Sequence, residues 1–206
     1  MPIIQEQPIS PQVSICIWKI DETEEALLAF LELNETEFAD FDRVKVASKR
    51  LEWLAARNAL KQLLNPFGQF WLEKDQFGKP HLTDPCIGVS MSHANGFGAA
   101  AINHQGPIGI DIEIERPQIQ RISRKFLNEN ETWAGTDTSK LTQVWGGKEA
   151  LYKLHGRTQL IFADQLVIEE PSLKHITSGQ IIEQNKTETF SLYFDYQSPL
   201  HICCAF

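Results

Sequence analysis

Four stretches of this 206-residue chain hold residue types that could do chemistry. The first lies in Ile108–Glu115, where Ile108, Ile110, Ile112 and Ile114 alternate with Gly109, Asp111, Glu113 and Glu115. A period of two puts the isoleucines on one strand face and the acids on the other. The Cα atoms of Asp111 and Glu113 are then roughly 6.5–7 Å apart. Such a pair suits one hard cation, held partly through water as magnesium prefers. A solvated strand face paired with Lys or Arg would read the same way.

The second stretch is Trp145-Gly146-Gly147-Lys148-Glu149-Ala150-Leu151-Tyr152-Lys153. Two adjacent glycines at the start of a helix cost about 1 kcal/mol each relative to alanine. The close approach of another backbone or of a ligand would offset that cost. Glu149 and Lys153 share a helix face, either as an ordinary ion pair worth ~0.3–0.5 kcal/mol or as functional groups.

The third is Ser92-His93-Ala94-Asn95-Gly96, at the end of an expected strand. Neighbouring strand residues point to opposite faces, so Ser92 and His93 make a poor nucleophile–base pair. There is no G-x-S-x-G elbow. His93 is either a satisfied structural histidine or a hydrogen-bond donor to a phosphate. The fourth is basic: Arg50, Arg57 and Lys61 fall within about 40° of arc on one helix. That stripe is either a solvated face or a site for a phosphate-rich ligand. Lys79, in the Gly78-Lys79-Pro80 turn, is open in the same way.

These groups need elements to hold them. A strand is expected over Val13–Ile20 and a helix over Thr23–Leu33. Asn34 and Glu37 have capping-box spacing for a second helix. A long helix should run from Ser48 to Leu64 and stop at Asn65-Pro66-Phe67-Gly68. Strands follow at Gly88–Ser92 and Gly98–Ile102, and the turn-rich Asn103–Pro107 marks a break. After the acid strand, helices are expected at Gln118–Leu127 and Thr142–His155, the latter stopped by Gly156. Strands at Leu166–Ile168, Phe190–Tyr196 and His201–Ala205 complete the chain. The expected organisation is α+β in two similar halves, residues 1–104 and 105–206, with the metal-type acids in the second.

Composition narrows the function. With 19 Lys and Arg against 27 Asp and Glu, the net charge is −8, which speaks against general nucleic-acid binding. An anionic ligand must be held by a local basic cluster or a bound cation. No window approaches ~18 uninterrupted apolar residues, so no membrane span is expected. Met1–Ser10 lacks an apolar signal core, and a cytoplasmic protein is expected. Cys16, Cys86, Cys203 and Cys204 form no CxxC and no zinc-finger spacing, and read as reduced, mostly buried thiols.

Taken in order, Phe77-Gly78-Lys79-Pro80, Ser90-Met91-Ser92-His93, Gly109-Ile110-Asp111-Ile112-Glu113 and the Trp145–Lys153 motif closely resemble the 4′-phosphopantetheinyl transferases. The resemblance is to the larger, Sfp-like class and covers motifs across residues 48–155. It implies transfer of the phosphopantetheine arm of coenzyme A to a serine of an apo acyl or peptidyl carrier protein, releasing adenosine 3′,5′-bisphosphate. It implies magnesium held by Asp111, Glu113 and Glu149, with Glu149 also accepting the serine proton. Ser92, His93, Lys148 and Lys153 would contact coenzyme A, Lys79 would lie near its 3′-phosphoadenosine end, and Arg50 and Arg57 are looser candidates. It also implies two α+β halves related by a pseudo-twofold, with coenzyme A in the cleft between them and a monomeric enzyme. The family usually carries Ser or Thr after the motif tryptophan, where this chain has Gly146. Glu115 and the Cys203-Cys204 pair receive no role.

Carrier proteins are typically acidic, as this chain is, so whole-molecule charge would slow their encounter. Arg121, Arg124, Lys125 and Phe126 are the expected local dock. The competing readings are a non-catalytic module that binds coenzyme A or a carrier, and a magnesium-dependent phosphohydrolase, which lacks a second acid-rich metal site.

Overall fold

The first 107 residues begin with two antiparallel strands, β1 (Ile3–Pro8) and β2 (Val13–Lys19), followed by helices α1 (Glu24–Ala29), α2 (Glu35–Arg43) and α3 (Ala47–Leu64). A short hairpin, β3 (Leu72–Lys74) and β4 (Pro80–Leu82), leads to β5 (Gly88–Ala94) and β6 (Phe97–Asn103). This is a computed structural model, which describes residues 3–68, 70–83, 86–156, 159–171, 175–184 and 186–206. The chain divides into two compact units, Met1–Pro107 and Ile108–Phe206.

In the first unit the sheet order is β1-β2-β6-β5. Helix α3 sets Leu54, Ala55, Ala59, Leu60 and Leu64 against Cys16, Trp18, Val89, Ala100 and Ile102. Each fully buried large aliphatic side chain there contributes about 1.5–3 kcal/mol. Contact is close because Gly98 lies under the helix, where a Cβ would sit 2.3 Å from Ala56 N. Asn34 and Glu37 form the expected capping box at the start of α2.

The second unit runs β7 (Gly109–Ile114), α4 (Ile119–Ile122), α5 (Thr138–His155), α6 (Phe162–Gln165), β8 (Leu166–Ile168), β9 (Ile176–Glu183), β10 (Lys186–Gln197) and β11 (Leu200–Ala205). Its antiparallel sheet has the order β7-β11-β10-β9-β8. Val144, Ala150, Leu151 and Leu154 of α5 pack on Ile168, Ile181, Leu192, Phe194, Cys203 and Ala205. Both units are therefore a long helix laid on an antiparallel sheet, an α+β architecture. No helix among the described residues is long and apolar enough to cross a membrane.

Two local expectations change, and strands β1 and β9 are unforeseen. Helix α5 starts earlier than Thr142, because the Asp137 side chain accepts from Lys140 N and caps the helix there. Gly146 and Gly147 thus stand mid-helix. A Cβ on Gly146 would lie 2.8 Å from Cys203 Sγ, and one on Gly147 would lie 2.6 Å from Ile168 Cδ1, so packing on the sheet offsets the propensity cost. Gln118–Leu127 is not one helix: α4 tightens at Ser123–Lys125 into a 3-10 turn, and Phe126 N–H donates to Ser123 O. Strands β1 and β9 carry too many polar residues to alternate visibly, and they form by pairing with β2 and β10.

Candidate active site

The acid face of β7 is the face that α5 covers. Gly109 permits this, since a Cβ there would meet Ala150 O at 1.9 Å. Asp111 is consequently buried, at 5% exposure, not solvated. Lys153 Nζ donates to Asp111 Oδ1 at 2.7 Å and to Ile110 O at 3.0 Å. One turn earlier stands Glu149, and a turn before that Trp145, whose Nε1–H donates to Glu113 Oε1 at 3.1 Å. The i,i+4 spacing of the motif thus lays tryptophan, glutamate and lysine along two carboxylates.

Burial and then the neighbouring Asp111 and Glu113 charges push the Glu149 carboxyl up to about 7, with Lys153 partly offsetting them. Glu113 is also raised, first by burial and then by Asp111, against the Trp145 hydrogen bond. Three mutually repelling oxygen donors fit a hard divalent cation by their chemistry. Among the described residues, no three His, Cys, Asp or Glu side chains converge as a cation cage; Lys153 engages Asp111 and Trp145 engages Glu113.

Lys148 requires a correction. It is fully buried, 2.7 Å from Glu131 Oε2, and donates to Phe126 O and Phe162 O. Glu131 also accepts from Ile168 N and Asn128 N. At 100° per residue Lys148 lies about 140° around the helix from Lys153, so the motif's two lysines serve different faces. Lys148 ties α5 to the segments before and after it.

In the first unit, His93 on β5 is partly exposed, and its Nδ1 lies 2.9 Å from Glu52 Oε2. Ser92 is buried, as expected for an adjacent strand residue. Lys79 is half-buried in the β3–β4 turn, and burial lowers the pKa of its ammonium. The basic stripe on α3 is also corrected. Arg50 grips Glu24 through Nε and Nη2 and donates to Phe41 O and Val44 O. Arg57 is buried over the Trp53 ring with Nε 3.4 Å from Glu37 Oε1, and burial lowers it to about 10. Lys61 donates to Phe30 O. All three tie α3 to the α1–α2 region, and the two arginines are paired with carboxylates there.

The expected dock loses one member. Phe126 is buried edge-on to Trp145, with ring centroids 5.3 Å apart. Arg121, Ile122, Arg124 and Lys125 are exposed.

A family model described as the 4′-phosphopantetheinyl transferase superfamily matches residues 107–205, nearly the whole second unit. This second unit belongs to the 4′-phosphopantetheinyl transferase superfamily. It is similar to the 4′-phosphopantetheinyl transferase gsp of Aneurinibacillus migulanus, 31% identical over 147 residues, 68% of this chain and 60% of that protein. A Synechocystis protein, named only provisionally as a 4′-phosphopantetheinyl transferase, is 26% identical over 161 residues, 69% of this chain and 65% of its own. The match therefore spans less than two thirds of either relative.

Within this unit, Gly146 has a local reason. A side chain there would run into Cys203, which stands opposite Asp111 in the β7–β11 register. Glu115 is 2.8 Å from His201 Nε2. Sequence reasoning passed over Glu52, Lys49 and Glu131. All three are single charges in helical or turn segments, and only their burial or pairing marks them.

Proposed function

We propose that this chain is an Sfp-like 4′-phosphopantetheinyl transferase acting on an apo acyl or peptidyl carrier protein with coenzyme A and magnesium. The serine oxygen of the carrier bonds to the phosphorus of the phosphopantetheine arm. The anhydride bond to adenosine 3′,5′-bisphosphate breaks. The observation that carries this reading is that Lys153 of α5 binds Asp111 of β7 and Trp145 binds Glu113, with Glu149 one helical turn from both Lys153 and Trp145, inside the segment that matches the family.

Asp111, Glu113 and Glu149 would hold the magnesium, which supplies positive charge to the diphosphate oxygens. Glu149, raised by burial, accepts the serine hydroxyl proton directly or through water at near-neutral pH. Lys153, anchored by Asp111, stabilises the departing phosphate. Trp145 holds Glu113 in orientation. His93 and Lys79 contact coenzyme A phosphates. The exposed Arg121, Arg124 and Lys125, beside Ile122, receive the acidic carrier.

The deciding experiment is the intact mass of an apo carrier after incubation with the protein, coenzyme A and Mg²⁺. Gain of one phosphopantetheine arm, lost in Glu149→Gln, is expected. Binding without mass gain, or coenzyme A cleavage without labelling, would replace this reading by a binding module or a hydrolase.

A further inference from the structure

Glu52 lies on α3 with its side chain only 3% exposed. Its Oε2 is 2.9 Å from His93 Nδ1 and 2.6 Å from Lys49 Nζ, so one buried oxygen serves two partly exposed basic groups. A buried carboxylate is costly unless it is paired. Here the pairing dictates where a proton sits. An ionised carboxylate only accepts hydrogen bonds, so the hydrogen between Glu52 and His93 belongs to Nδ1. In the neutral ring, Nε2 then carries a lone pair, which repels a phosphate oxygen. Nε2 becomes a donor only when the ring takes a second proton. The group of Glu52, Lys49 and His93 then carries one net positive charge, and with neutral His93 it carries none.

We propose that Glu52 is a positioning residue that fixes His93 with its proton on Nδ1, so that a phosphate group is bound by the imidazolium and binding takes up a proton. This rests on the reading above that His93 contacts a phosphate of the ligand. From α3, the ring is faced by Glu52 and, through the shared oxygen, by Lys49 among the described contacts. In Glu52→Gln the amide can donate to Nδ1, the neutral ring can carry its proton on Nε2, and phosphate binding no longer requires a second proton.

The test is calorimetric titration of the full chain with adenosine 3′,5′-bisphosphate, in buffers of different ionisation enthalpy between pH 7.5 and 8.5. The wild type should take up a fraction of a proton per ligand, and its affinity should fall with rising pH by up to about tenfold per unit. Glu52→Gln, checked for native circular dichroism, should show uptake reduced to the His93→Gln level and affinity changing less than about twofold over the same range. Wild-type binding without uptake, or Glu52→Gln indistinguishable from wild type, would overturn the proposal while leaving His93 a ligand contact. Unchanged affinity in His93→Gln would instead remove the reading on which it rests. ¹⁵N NMR of the free wild-type protein adds a check independent of any variant. The neutral His93 ring should be protonated on Nδ1, and the Nε2–H tautomer would count against it.

Discussion

Lys153 Nζ stands 2.7 Å from Asp111 Oδ1, which ties the last turn of α5 to the middle of β7. The carboxylate is buried and the lysine about a quarter exposed. Lys153→Met should therefore cost about 1–2 kcal/mol at neutral pH, a value reduced for the partial exposure of the lysine. Urea denaturation measures it. Transfer activity should fall on the order of a hundredfold or more through loss of phosphate stabilisation, and unchanged activity would detach Lys153 from the chemistry.

Glu149 has its folded-state pKa raised to about 7 by burial and by Asp111. A carboxyl raised on folding holds its proton longer in the native state. It therefore disfavours folding as pH rises from the ordinary carboxylate range through about 7. In the absence of divalent cation, Glu149→Gln should be more stable than wild type at pH 8 by about 1–2 kcal/mol, and the two should converge near pH 4. Because a cation must displace that proton, Mg²⁺ binding should weaken roughly tenfold from pH 8 to pH 6. Equal affinity at the two pH values would argue that Glu149 is not a ligand.

The glycines under and within α5 should rank by what blocks them. Gly109→Ala meets helix backbone, which cannot step aside, and should cost more than about 3 kcal/mol or prevent folding. Gly147→Ala meets the ends of Ile168 and Phe194 and gains about 1 kcal/mol of helix propensity, so its net cost should be about 0–2 kcal/mol. Thermal melts of the two variants test the order.

Breaking the Lys148–Glu131 pair from one side leaves a buried, uncompensated charge. Lys148→Met should cost about 3–5 kcal/mol, and adding Glu131→Leu should recover part of that. A double-mutant cycle in urea would show the coupling. If Lys148→Met left stability intact and raised only the KM for coenzyme A, the buried assignment would be wrong.

Charge reversal on the exposed segment after β7 tests the carrier dock. Arg124→Glu with Lys125→Glu should raise KM for an acidic carrier about tenfold or more, while KM for coenzyme A changes less than about twofold. Parallel changes in both would reject a dock there.

Much of this protein could be read from short windows of residues. The isoleucine–acid alternation of β7, the Asn34–Glu37 capping box, the Gly156 stop with φ of +74° and the i,i+4 placement of Trp145, Glu149 and Lys153 depend on backbone period and local caps. Order along the chain sufficed to point to the family. What a lysine or arginine does was not readable that way. Lys148 and Lys153 share a motif, yet one is sealed against Glu131 and the other meets Asp111. Arg50 and Arg57 share a stripe, yet Glu24 and Glu37 claim them. Glu52 finds His93 across 41 positions. Periodicity follows from backbone geometry, which each residue carries with it. Burial and ion pairing follow from which distant surfaces meet, and that is settled only when the helix lies down on its sheet.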